Sequence, residues 1–172
     1  MFVTFLRKNR FMPLIFLILR FYLGWAWLTA GWGKVTGEFN AEGYLKGAVK
    51  KASGEHPSVQ GWWADFLSSF AIPNVELFNF LVPWGELLVG IALLLGSFTT
   101  FAALMGAVMN FAFLFSGTIS TNPQMVLITV FLLVAGANAG KIGLDRWLLP
   151  LVDNTWNRIL NRKDRRKSDF PM

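Results

Sequence analysis

A carboxylate, a guanidinium, an amide and a hydroxyl stand inside apolar stretches of this chain: Glu86, Arg20, Asn110 and Thr129. Glu86 belongs to Val82-Pro83-Trp84-Gly85-Glu86-Leu87-Leu88-Val89-Gly90, near the midpoint of an apolar run over 73–97. A run of that length crosses a bilayer as a helix. An ionisable group at such depth costs about 2.5–3.5 kcal/mol on insertion scales, so it faces partners or water and marks a candidate functional site. A carboxylate held beside a cation can exchange a proton with a ligand or bind its polar end. Glu86 and Arg20 are therefore the candidate catalytic residues, with Asn110 to orient a ligand.

Four apolar runs would position these groups, over 11–33, 73–97, 99–116 and 124–140. Residues 52–140 contain no Lys or Arg, and 54% of the 172 residues are hydrophobic. Uninterrupted runs of this kind indicate membrane spans. The expected fold is all-α, an integral membrane four-helix bundle over 1–143, followed by an amphipathic helix and basic tail over 144–172. The connection 34–72 carries helical character over 41–52 and 61–70, and its Trp62, Trp63, Phe66 and Phe70 predict a segment lying in the membrane interface. It could serve equally as a lid or as a passive cap. After Lys141, Leu144, Trp147, Leu148, Leu151, Val152, Trp156, Ile159 and Leu160 recur at helical spacing, which predicts a helix lying flat on the membrane. Basic residues at both ends of the chain place both termini in the cytoplasm of a multi-pass cell-membrane protein, and the 34–72 connection outside.

Counting depth at about 1.5 Å per residue sets Arg20, Glu86, Asn110 and Thr129 about 15–17 Å from the cytoplasmic boundary, on four different helices. Helical phase groups Glu76, Asn79, Pro83, Glu86 and Gly90 on one face of the second span. Lys34 and Glu76 read as a second, outer pair. The plainer alternative is that Arg20–Glu86 is a buried ion pair and Asn110 an interhelical hydrogen bond, both purely structural. Such contacts are worth only about 0.6–2 kcal/mol each, and a buried pair is weak evidence of stabilisation. Most of the tryptophans read as interfacial anchors. Trp84 and Trp27 are the two placed to line a pocket for a flat aromatic ligand such as a quinone ring.

The net charge is +6, but eight of the sixteen basic residues lie at or after Lys141, beside the last apolar run, so lipid rather than nucleic acid is the expected polyanion. With no cysteine, thiol redox chemistry and thiolate iron–sulfur ligation are excluded within the chain, and one histidine, His56, cannot form a bis-His haem site. No metal or haem is expected.

The combination of motifs resembles the DoxX family. Arg20 and Gly24 with Ala30-Gly31-Trp32-Gly33-Lys34 resemble its first helix, and Val82 to Gly90 through Leu95-Gly96-Ser97-Phe98-Thr99 its second. Met109-Asn110-Phe111, Ser120-Thr121-Asn122-Pro123 and Gly143-Leu144-Asp145-Arg146-Trp147 extend the likeness. The family is similar to the DoxD-type small subunit of thiosulfate:quinone oxidoreductase. The resemblance implies a quinone-facing membrane subunit acting in sulfur-compound oxidation or redox-stress detoxification, with non-covalent quinone as cofactor and Arg20, Lys34, Glu86 and Asn110 as the matching polar positions. It also implies a soluble redox partner on the cytoplasmic side, since the chain carries no redox centre of its own, and self-association is open. A non-enzymatic anchor or assembly partner of a redox complex is the competing reading. A transporter is a third, disfavoured by the lack of an inverted repeat or broken-helix pair.

Overall fold

Apolar runs punctuated by Gly and Pro fold into helices throughout the computed structural model, which describes residues 1–155. A short α1 (Phe2–Lys8) precedes α2 (Met12–Thr36). The following connection holds α3 (Glu42–Lys50) and α4 (Gly61–Phe66), the latter continued by a π-helical turn at Leu67–Ala71. Then come α5 (Val75–Leu95), α6 (Thr99–Phe115), α7 (Asn122–Ala135) and the one-turn α8 (Ala137–Gly140). Residues 145–155 are helical again, and no strand occurs among the described residues. Trp156, Ile159 and Leu160 of the expected amphipathic helix, with the basic tail beyond them, lie outside the described residues.

Two helices, α2 and α5, are long and apolar enough to cross a membrane. Their 25 and 21 residues give lengths of about 37 and 31 Å, against a hydrocarbon core of about 30 Å. Only 33% of each apolar window is buried, and their outer faces carry exposed Phe21, Trp25, Phe80 and Leu88. The core helix of a water-soluble protein would hide such residues. The other two long helices are apolar but shorter: α6 has 17 residues and α7 has 14. The run expected over 124–140 is thus not one helix. Gly136 adopts φ 57 and ψ −132, a conformation reserved for glycine, and breaks it before α8.

The tightest seam joins α2 to α5. A Cβ added to Gly31 would fall 2.4 Å from the Leu87 backbone nitrogen, and one added to Gly90 would fall 2.4 Å from that of Leu28. Glycine at these positions lets the two backbones touch, and the contact fixes their antiparallel register. Gly85 of α5 packs on Met109 of α6, and Gly106 of α6 on Trp27 of α2. The buried core runs through Phe16, Leu23, Trp27, Leu93, Ala103 and Leu132. A smaller cluster of Leu45, Ala48, Leu67 and Ala71 lies under the 34–72 connection, which is tied to α5 where the Ala41 amide donates to Asn79 Oδ1 at 2.8 Å.

At the opposite end, α1 packs across α7 and α8 through buried Leu6, and Asn138 Nδ2 donates to the Leu6 carbonyl at 2.7 Å. The basic flank of the sequence is therefore a docked helix.

Candidate functional site

Glu86 sits on the α5 face that meets α2 and is 2% exposed. Its Oε2 accepts a hydrogen bond from Lys34 Nζ at 2.5 Å. The Lys34 side chain is 28% exposed, and its ammonium also lies 5.8 Å from the centre of the Phe39 ring. The ion pair therefore has a dry carboxylate end and a reachable ammonium end. The sequence reading paired Glu86 with Arg20 instead and gave Lys34 to Glu76. Both pairings are corrected. The glycine seam sets Gly31 against Glu86 and Leu87, which brings Lys34, one turn further along α2, onto Glu86. The same seam sets Gly24 against Gly90 and Leu94, so Arg20 falls opposite Gly96 at the far end of α5. Ten residues of α5 separate Glu86 from Gly96, about 15 Å of helix. Glu76 remains exposed, at 3.5 Å from Asn79 Nδ2.

Arg20 has its own setting. Fully buried, it donates from Nη1 to the Ala139 carbonyl at 3.1 Å and from Nη2 to the Ile142 carbonyl at 2.7 Å. A Cβ on Gly96 would fall 2.6 Å from Arg20 Nη1, and Gly96 itself holds the left-handed φ of 66 that ends α5. Asp145, from the same C-terminal segment, accepts the Phe98 and Thr99 amides at 2.5 and 2.9 Å and so caps α6 from outside it. Its own amide donates to the Gly96 carbonyl at 2.7 Å. These bonds latch 139–145 onto the α5–α6 turn and the start of α2. No signal of single residues pointed to the latch, although Gly143-Leu144-Asp145 and Leu95-Gly96-Ser97-Phe98-Thr99 were both noted as motifs.

Lys34 and Glu86 line a cavity of about 330 Å³. Its walls are aromatic and aliphatic: Phe39, Tyr44, Trp63, Phe78 and Phe113 among them. Its outer part carries hydroxyls. Trp63 Nε1 donates to Ser116 Oγ at 2.9 Å, and Tyr44 and Thr118 share a hydroxyl–hydroxyl hydrogen bond at 3.0 Å. The Gly85–Met109 contact sets Asn110 near the level of Glu86, and Ser116 is six residues further out, about 9 Å along α6. Polar groups thus mark both ends of an apolar slot, the usual make-up of a small-molecule site.

Asn110 is completely buried, and neither Nδ2 nor Oδ1 has a hydrogen-bond partner among the described residues; nor does Nε1 of Trp27. Trp27 touches Gly106 and approaches Phe113 at 6.5 Å between ring centres, and Asn110 lies between those two residues on the same face of α6. Unpartnered buried polar atoms are costly and call for an explanation. Thr129 is spent locally, its hydroxyl donating to the Met125 carbonyl at 2.7 Å. Trp84 is not in the cavity: it is 42% exposed and packs on Phe80. One helical residue from Gly85 turns it off the α6-facing side. Phe39, Tyr44 and Trp63 were not singled out from the sequence as lining residues, because they belong to the connection and only the tertiary fold brings them over Glu86.

A family model described as DoxX matches residues 15–119. No curated protein and no solved structure gives a significant match. The matched segment starts in α2, ends just past α6, and contains Arg20, Lys34, Glu86 and Asn110. It covers more than half of the 172 residues. This chain, which carries membrane-length apolar helices and a lysine–glutamate pair at the base of an aromatic cavity, belongs to the membrane-associated DoxX family.

Proposed function

We propose that the chain crosses the cell membrane four times as a helical bundle, with both termini cytoplasmic, and holds a quinone ring in the cavity above Lys34–Glu86. In this reading it is the quinone-facing subunit of an oxidoreductase acting on sulfur compounds or in redox-stress detoxification. The observation that carries the reading is the cavity: apolar, aromatic-walled, about 330 Å³, with an ion pair inside and hydroxyls outside. That make-up fits a flat ring bearing oxygens on opposite edges. Quinone, when bound, supplies two-electron, two-proton redox capacity that no side chain of the cysteine-free sequence replaces.

The chain's residues have definable tasks there. Lys34 Nζ donates to a ligand oxygen while Glu86 Oε2 holds its position. The buried side of Glu86 keeps water from competing for that contact. Tyr44 and Ser116 offer hydroxyls to the opposite edge, and the aromatic walls set the ring plane. Arg20, held by carbonyls about 15 Å away, supports the fold at the opposite end.

The topology is supported by charge placement: Arg7, Lys8, Arg10, Lys141 and Arg146 gather at the end where α1 meets α8. Binding of a soluble quinone analogue to the purified full-length protein, followed by tryptophan fluorescence, tests the site. Glu86→Gln is expected to weaken binding at least tenfold while the protein still inserts. Anaerobic quinone reduction by thiosulfate or sulfide, with and without a co-purifying partner, tests the reaction. Absence of binding overturns the reading. A second reading, a non-enzymatic anchor for a soluble redox partner, is favoured by the exposed Trp147, Leu151 and Val152 of the 145–155 helix. A stoichiometric partner retained by a Glu86→Gln variant distinguishes it.

A further inference from the structure

A second cleft, of about 340 Å³, opens at the α1 end of the molecule. Three cations from three separate segments line it: Arg7 of α1, Lys141 just after α8, and Arg146 of the 145–155 helix. Arg7 is pinned by its Nε, which donates to the Val134 carbonyl at 2.9 Å, leaving the rest of its guanidinium free to reach the cleft. Among the described residues Lys141 and Arg146 make neither an ion pair nor a side-chain hydrogen bond, and both are exposed. Among the described residues the cleft has one acid, Asp145, and its two oxygens are committed to the Phe98 and Thr99 amides. Three converging cations, with no free carboxylate lining the cleft among the described residues, make a site for a compact anion.

The surroundings say which kind. On one side α1 exposes Phe2, Val3 and Phe5; on the other, the 145–155 helix exposes Trp147, Leu151 and Val152. Helices with cationic and exposed apolar faces settle at the boundary between headgroups and acyl chains. Phe11, and Leu14, Ile15 and Ile18 at the start of the neighbouring α2, are exposed as well, so an apolar surface suited to acyl chains continues from α1 onto α2. A soluble anion would have no use for these apolar flanks.

The geometry points to an anionic phospholipid held in this cleft, its phosphate between Arg7, Lys141 and Arg146 and its acyl chains against the apolar flanks. The site is independent of the quinone cavity at the other end of α2. Each cation near an anionic surface contributes about fivefold in affinity, so removing three costs about 100-fold.

Native mass spectrometry of the full-length protein in detergent, titrated with phosphatidylglycerol or phosphatidylcholine of matched chains, provides the test. The wild type is expected to retain phosphatidylglycerol preferentially. The combined variant Arg7→Gln, Lys141→Gln, Arg146→Gln is expected to lose about 100-fold, and Lys8→Gln with Arg10→Gln, outside the cleft, to lose little. Equal losses in the two variants would mean unspecific surface attraction and overturn the proposal. So would full displacement of the lipid by millimolar inorganic phosphate, which would make this a soluble-anion site. If the combined variant does not fold, the three single variants carry the test, each expected to weaken retention about fivefold, and unchanged retention in all three overturns it.

Discussion

The residue that decides the character of the site is Lys34. Pairing it with Glu86 instead of Arg20 turns an enclosed ion pair into one whose ammonium is reachable from a cavity. A double-mutant cycle on Lys34→Met and Glu86→Gln is expected to show a coupling of about 1–3 kcal/mol in thermal unfolding, whereas Arg20→Leu with Glu86→Gln should be additive within about 0.5 kcal/mol. Glu86 and Asn110 are legible in the sequence as polar groups out of place in apolar runs, whereas Lys34 stands just past the end of its run, at the start of the polar connection. The pairing is not legible there. Depth counted from assumed span ends ignores the register that Gly31 and Gly90 impose, which shifts α2 along α5 by about three turns and puts Lys34, not Arg20, at the level of Glu86.

At the scale of elements, α2 and α5 behave as one unit. Gly31→Leu would drive a side chain into the Leu87 backbone, which cannot yield, and is expected to cost about 3 kcal/mol or more in stability and to loosen the Lys34–Glu86 pair. The α5–α6 turn depends on a carboxylate 47 residues later in the chain. Asp145→Ala removes a charged cap from α6 and is expected to cost about 2 kcal/mol, measured by thermal or denaturant unfolding in detergent. Three of the four apolar runs coincide with helices α2, α5 and α6 to within three residues at either end, because length and hydropathy alone define them. The fourth ran too far because Gly136 is an ordinary apolar-run residue in composition and reveals its break only through backbone conformation. Helix α1 carries little local signal, because four of its seven residues, Phe2, Val3, Thr4 and Phe5, are aromatic or β-branched.

For the whole molecule, the central question is which end faces which compartment. The chain has no cysteine, so a single introduced thiol reports without background. Ser53→Cys, in the connection over the cavity, is expected to react with a membrane-impermeant maleimide on intact cells. Lys8→Cys is expected to react only after the membrane is broken; the reverse pattern would invert the bundle. Composition made the all-helical class readable at once, since apolar runs of this length satisfy their backbone only as helices. The cavity was not readable, because it is assembled from the connection, α2, α5 and α6 together.

The latch on Arg20 has a consequence for how the protein is made. Its two carbonyl acceptors lie 119 and 122 residues downstream, so the first apolar helix leaves the ribosome with a guanidinium that has no companion until nearly the whole chain has been synthesised. Until residues 139–145 arrive, that charge carries the full cost of an unpaired ionisable group in an apolar helix. Chains cut short before that point keep an unmatched charge at the bundle end.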